Sequence, residues 1–438
     1  MRIMIGCLAT ASALLITSGA IFGADGPSWK AEREAGLRAF QQGRFSEAEK
    51  YNRKALETLD NDSPEAAICL HNLALTYTAE GRYADAADSY RKALQIWEKA
   101  SGYEASAAVA QGNLGTTLHL LGRYAEAEAI ELRSLATLER LLGPEHRDTA
   151  TALNNLGDNY TVQGRYVDAE TSYRRAAAIR EKVLGKEHPD TLLTFAALAV
   201  VYQHRGRYAT ALDLLQRALV SAETLSPSNS HVAVILNNMA TTYLAQGNLK
   251  QAGKFMARAV SIWEKSLGPD HPSVALGFTN LAAISFARHK YNEAAEYDRR
   301  ALAVSESHLP ADHPQVIGIL NNLGAALFAM HQYVESEALF ERAIALSEKS
   351  REPNYAFEAD ALRNLADLYG FQQHDFKASE YYKRAIKLRE ETLGPNNPRL
   401  ATDLEAYALV LRRMQDYASA EKASVRAMGI QVRNTLHP

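Results

Sequence analysis

A turn of glycine, arginine and an aromatic residue recurs along this chain and leaves it few ways to fold. It reads Gly43-Arg44-Phe45, Gly81-Arg82-Tyr83, Gly122-Arg123-Tyr124, Gly164-Arg165-Tyr166 and Gly206-Arg207-Tyr208. Weaker forms follow at Leu249, Tyr291, Tyr333, Asp375 (with Phe376 beside it) and Tyr417. After a short first step the spacing is 41 or 42 residues throughout. A repeat array grows one unit at a time, so the 438 residues call for no set of separate cores.

Each unit holds two helical patterns. In the third full unit Leu153, Leu156, Gly157 and Tyr160 fall three or four apart, and so do Tyr166, Ala169, Tyr173 and Ala176. That spacing draws one face of a helix. The glycine between the patterns ends the first helix, since it tolerates the left-handed conformation. Each unit therefore reads as a helical hairpin. Three residues after the turn aromatic stand Ala48, Ala86, Ala127, Ala169, Ala211, Ala252, Ala294, Ser336, Ala378 and Ala420. Seven residues further on, every unit again has alanine or serine. A place that admits only small side chains marks close approach of helices. At Ala169, Ala211, Ala252 and Ala294 a larger residue would overpack by about 1–3 kcal/mol.

This layout resembles the tetratricopeptide repeat family over about residues 30 to 435. The extended second helix and links such as Gly268-Pro269-Asp270-His271-Pro272 resemble the 42-residue variant of kinesin light chain and its bacterial relatives. The resemblance implies an all-α, right-handed superhelical solenoid of about ten helix-turn-helix repeats over residues 25–438, with the first helix of every unit lining a concave wall.

A second recurrence lies in the first helices. Directly before the helix leucine (methionine in one unit) stand Asn72, Asn113, Asn155, Asn238, Asn280, Asn322 and Asn364, whereas Ala197, Ala406 and Glu34 take the place elsewhere. Asparagine costs several tenths of a kcal/mol against alanine inside a helix, so its recurrence there wants a cause. In the resembled family this place faces the groove and grips the backbone of an extended peptide. One carboxamide offers both an acceptor and donors. The alternative is an internal ladder, with the asparagines satisfying one another or neighbouring helix carbonyls. Asn154, Asn237 and Asn321 are further groove candidates. Val109, Val200, Val234 and Leu276 are expected to make the groove partly apolar.

His146, His188, His271 and His313 recur in the links. Successive units lie about 8–10 Å apart, whereas two ligands of one zinc each lie about 2 Å from it. They read as structural link residues, and neither metal nor cofactor is expected. The sequence shows no phosphate loop, His-Glu-x-x-His, Cys-x-x-Cys or Gly-x-Ser-x-Gly, so no enzyme is expected and no small-molecule substrate. Net charge is −3 with scattered basic residues, which points away from nucleic acid.

Residues 1–24 differ from the rest. Arg2 is their only charge before a run of apolar and small residues from Met4 to Gly23. This reads as a signal peptide cleaved near Ala20 or Ala24, and hence as a periplasmic or secreted protein. An uncleaved anchor, which would tie the chain to a membrane, is the rival. Once Cys7 leaves with the leader, Cys69 stands alone in an apolar helix as a buried, inert thiol. The expected function is a protein-interaction scaffold holding an extended peptide segment in the concave groove. The alternative is an assembly or oligomerisation factor of the cell envelope, acting through helix faces and array ends.

Overall fold

The computed structural model describes residues 29–226, 229–350 and 355–436. The leader expected over residues 1–24 lies outside the described residues. Contacts gather the rest into two compact units, one holding residues 29–159 with 175–183, the other 160–174 with the chain from 184 onward. Twenty helices occur, and no strand is present among the described residues.

The N-terminal unit contains α1 (Trp29–Gln41), α2 (Phe45–Glu57), α3 (Pro64–Ala79), α4 (Tyr83–Trp97), α5 (Glu104–Leu120) and α6 (Tyr124–Leu142). Helices α7 (Arg147–Val162) and α8 (Tyr166–Leu184) contribute residues to both units. The C-terminal unit continues with α9 (Pro189–His204), α10 (Tyr208–Leu225), α11 (Ser230–Ala245), α12 (Leu249–Leu267), α13 (Pro272–Ala287) and α14 (Tyr291–His308). It ends with α15 (Pro314–Ala329), α16 (Tyr333–Lys349), α17 (Tyr355–Phe371), α18 (Asp375–Leu393), α19 (Pro398–Arg413) and α20 (Tyr417–Leu436). Within each unit the two helices of a hairpin pack together, and the second packs on the first helix of the next hairpin. First helices also adjoin: α9 meets α11, α11 meets α13, and the series runs on to α19.

The turns explain their own sequence. In each, the residue before the turn aromatic donates its N–H to a carbonyl five residues earlier, as in Arg82 to Tyr77 at 2.8 Å and Arg207 to Tyr202 at 2.8 Å. This closure of a helix C-terminus needs one residue in the left-handed region. Glycine supplies it in the earlier turns, for example Gly81 at φ 72°. In the last four turns His289, His331, Gln373 and Gln415 adopt φ of 58° to 63° instead, with the same backbone closure. The recurring arginine has its own task. Arg82, Arg165 and Arg207 lie over the rings of Tyr77, Tyr160 and Tyr202 at 4.1, 4.2 and 4.6 Å, a cation–π contact within each turn.

Ala169, Ala211, Ala252 and Ala294 are fully buried. Ser336, the exception in that series, satisfies its hydroxyl by donating to the Gly324 carbonyl at 2.7 Å. Gly277 shows how tight the seams are, since a methyl group there would sit 2.5 Å from Val260. Cys69 is buried, and burial pushes its thiol up to about 12, which keeps it inert.

The link histidines start helices. Nδ1 of His146, His188, His271 and His313 accepts the backbone N–H two residues on, at 3.1–3.2 Å. Asn229 and Asn397 do the same with Oδ1, at 3.0 and 2.9 Å. These are helix N-caps, so the structural reading of the links is the one observed. Exposed acidic residues bridge consecutive hairpins. Arg133 meets Glu98, Arg175 meets Glu139, Arg342 meets Glu306, Arg384 meets Glu348 and Arg426 meets Glu390, all within 3.1 Å. Each such exposed pair contributes little stability, but the series ties the second helices of consecutive hairpins.

Candidate functional site

The wall of first helices is where the sequence placed a peptide site, and its asparagines can be followed one by one. Asn238, Asn280, Asn322 and Asn364 have 0% of their surface exposed. Asn113 and Asn155 are buried too, and Asn72 is half-buried. The carboxamides of Asn155, Asn238, Asn280 and Asn364 bond across the seams between first helices. Nδ2 of Asn280 donates to Oδ1 of Asn237 at 2.8 Å, and Nδ2 of Asn364 donates to Oδ1 of Asn321 at 3.0 Å. Asn237 donates onward to Asn238, at 3.1 Å, and Asn238 donates to the Ala196 carbonyl at 3.4 Å. In the N-terminal unit Asn155 donates to Oγ1 of Thr116 at 3.1 Å.

The expectation is that these carboxamides are presented to a partner's main chain; in this structure those of Asn238, Asn280, Asn322 and Asn364 are closed off from the surface. Fully buried amides that are already bonded to a neighbouring helix are not on offer to a ligand. Of the two readings, their positions match the internal ladder. The cause of the recurrence is tertiary: a polar group at a closely packed seam is kept only where a neighbour satisfies it. The further groove candidates follow the same pattern. Asn237 and Asn321 are buried acceptors in the ladder, and Asn154 is buried beside Asp158, to whose carboxylate it donates at 3.2 Å. Of the apolar groove candidates, Val109, Val200 and Val234 are buried and Leu276 is half-buried.

Three first helices of the C-terminal unit carry an aromatic ring near their C-terminal ends. Phe286 and Phe328 are half-buried and Phe371 is exposed, one on each of α13, α15 and α17. The rings of Phe328 and Phe371 meet edge to face at 5.4 Å, and Tyr333 of the adjoining turn lies 5.5 Å from Phe371. Sequence reasoning overlooked this row because each phenylalanine, read alone, is an ordinary core residue of its helix.

Two sets of buried charge were also missed. Arg389, fully buried, donates to Asp360 at 2.8 Å and to Asp403 at 2.5 Å, and joins α17, α18 and α19. Glu131 is buried in α6, and desolvation lifts its carboxyl to about 8, against the opposing bond it accepts from Asn159 at 3.2 Å. Both occupy helix faces that are apolar in most other units, so periodicity hid them. Among the described residues no group of three or more His, Cys, Asp or Glu side chains is placed to hold a metal ion, and no helix is long and apolar enough to cross a membrane.

Comparison with known proteins agrees with this architecture. Tetratricopeptide repeat models match residues 31–99, 106–177, 148–223, 231–307, 315–391 and 376–431. No curated protein matches the chain. Among solved structures, the kinesin light chain TPR-like repeats of Podosopora anserina are 27% identical over 47% of this chain and 99% of theirs, with a TM-score of 0.38. BtubC from P. vanneervenii is 22% identical over 52% of this chain and 90% of its own, with a TM-score of 0.40. A Rap protein complexed with competence and sporulation factor shares the fold at a TM-score of 0.57, with 14% identity over 83% of this chain and 98% of its own. Helical hairpins in tandem, their glycine turns, their small-residue seams and models matched along nearly the whole described chain lead to one assignment: this chain belongs to the tetratricopeptide repeat family, whose fold generally serves as a scaffold for protein interaction.

Proposed function

We propose that the chain is a non-catalytic scaffold that captures an extended segment of another protein along the first helices of its C-terminal unit. The observation that carries this reading is the set Phe286, Phe328 and Phe371, one ring near the C-terminal end of each of three consecutive first helices, beside asparagines that are buried and bonded within the wall. Apolar anchors on the partner would dock against these rings, since partly exposed aromatics supply much of the binding energy of protein contacts. The asparagine ladder holds the wall in register and leaves the partner's backbone alone. The same reading places the protein outside the cytoplasm, with residues 1–24 removed on export, and N-terminal sequencing of the native chain tests that part.

Selection of a displayed random-peptide library on the immobilised chain tests the capture. Enriched peptides are expected to share apolar anchors. Phe328→Ser combined with Phe371→Ser should weaken them about tenfold or more, equivalent to roughly 1.4 kcal/mol, when binding is compared at a temperature where circular dichroism shows both proteins fully folded. Failure to enrich any peptide, or equal binding by the double variant, would count against the wall.

A further inference from the structure

One hydrogen bond inside the C-terminal unit joins residues 234 apart in sequence: Nδ2 of Asn397 donates to the Gln163 carbonyl at 3.2 Å. Gln163 lies in the turn after α7 and Asn397 in the link before α19, and the hairpins from α9 to α18 run between them. A turn sits at the C-terminal end of a first helix and a link at the N-terminal end, so the contact brings opposite edges of the row of first helices together. The residues around it fit the contact. Asn397 is buried and its Oδ1 caps α19, which leaves Nδ2 to reach across. Gly164 faces Pro398, whose Cδ would lie 3.3 Å from a methyl group added to the glycine. At the same place in other turns, Gly43, Gly206 and Gly247 face open space. Beside the contact Tyr166 and His204 stack at 5.3 Å, and the Arg399 charge reaches both rings. It opposes the desolvation that raises the Tyr166 hydroxyl, and it adds to the desolvation that lowers His204.

We infer that Asn397, Pro398 and Gly164 form a latch that fastens the hairpins from α9 to α18 in the curvature seen here and that opens without unfolding them. A repeat array holds together through contacts between neighbours, and its curvature is the sum of small rotations from one hairpin to the next. Breaking a contact between distant hairpins therefore leaves each hairpin folded and frees only the summed rotation. The latch is small enough to break alone, since it consists of one hydrogen bond to a backbone carbonyl, a proline ring on a glycine and a charge beside two rings. Its leverage on the wall is large. Helices α9, α11, α13, α15 and α17 all lie between the fastened points, so the latch sets how tightly the wall curves. Arg399 also meets Asp360 of α17 at 3.8 Å, and Asp360 accepts from Arg389 at 2.8 Å, which ties the latch to the buried charges of α17, α18 and α19. This inference stands independently of peptide capture.

Double electron–electron resonance on the full chain tests it. Cys7→Ser and Cys69→Ala clear the background, and spin labels go on Val167→Cys and Thr402→Cys, two exposed places flanking the contact. This background is expected to show one short, narrow distance. Asn397→Asp keeps the α19 cap, because aspartate caps a helix as well as asparagine does, but it sets an acceptor against the Gln163 carbonyl. It should move most of the population to longer and broader distances while the helical circular dichroism stays unchanged. Gly164→Ala should do the same. Gly206→Ala, at φ 71° against 78° for Gly164 and with open space before it, separates the contact from backbone strain and should leave the distance short. A background that lacks the short distance would overturn the latch. So would Asn397→Asp with the distance unchanged, or Gly164→Ala behaving as Gly206→Ala does.

Discussion

The carboxamide nitrogen of Asn280 in α13 donates to Oδ1 of Asn237 in α11, 2.8 Å away and both fully buried, so a bond between side chains 43 residues apart closes the seam between two first helices.

That relationship predicts how Asn280→Ala behaves. Removing the donor strands the buried Asn237 oxygen, which costs about 1–3 kcal/mol. Alanine's better helix propensity returns only several tenths of that. Thermal unfolding of the variant should therefore begin earlier than in the wild type. A melting point equal to or above wild type would show that the seam does not depend on this bond.

The turns that have lost glycine offer a gain. Gln373 is held at φ 61°, where a side chain costs about 1–2 kcal/mol. Gln373→Gly removes that strain and adds roughly 0.5–1 kcal/mol of backbone entropy to the unfolded chain. The net expectation is stabilisation of about 0.5–1 kcal/mol, read as a higher denaturant midpoint at constant slope. A lower midpoint would mean that the glutamine side chain does more than fill the turn.

His313 caps α15 through an unprotonated Nδ1, and burial lowers it to about 4. A base whose folded value is depressed contributes stability that is present above its ordinary value of about 6.5 and lost as pH falls from there toward 4. His313→Ala should cost about 0.5–2 kcal/mol at neutral pH. His313→Asn should keep the cap, as Asn397 does for α19, and flatten the acid side of the stability profile. If the asparagine variant is as unstable as the alanine one, packing rather than capping explains the residue.

Glu131 gives the opposite sign. Its carboxyl is raised to about 8 by burial, with Asp158 and Glu128 adding repulsion. An acid whose folded value is raised contributes stability that is complete below about 4.5, and this stability declines as pH rises toward 8. Glu131→Gln removes the ionisation while it preserves shape. The variant should melt later than the wild type at pH 8 and show a smaller difference at pH 5. Identical profiles at both values would mean that the folded protein solvates this carboxylate.

The hairpins, their boundaries and the small-residue seams could be read from the sequence because they obey rules acting over three or four residues. Helical period, a turn residue with positive φ and a ceiling on side-chain size are all properties of short segments, repeated often enough here to be unmistakable. Ala211 could be placed at a close approach without knowing which atoms it approached. Where a polar side chain points is a different kind of question. Asn238 bonds to Ala196 and Asn364 to Asn321, partners 42 and 43 residues away, and which face of a first helix is open depends on how neighbouring hairpins close against it. The sequence marked the recurring asparagines as unusual, and only the packing of one first helix on the next turned their carboxamides into the seam.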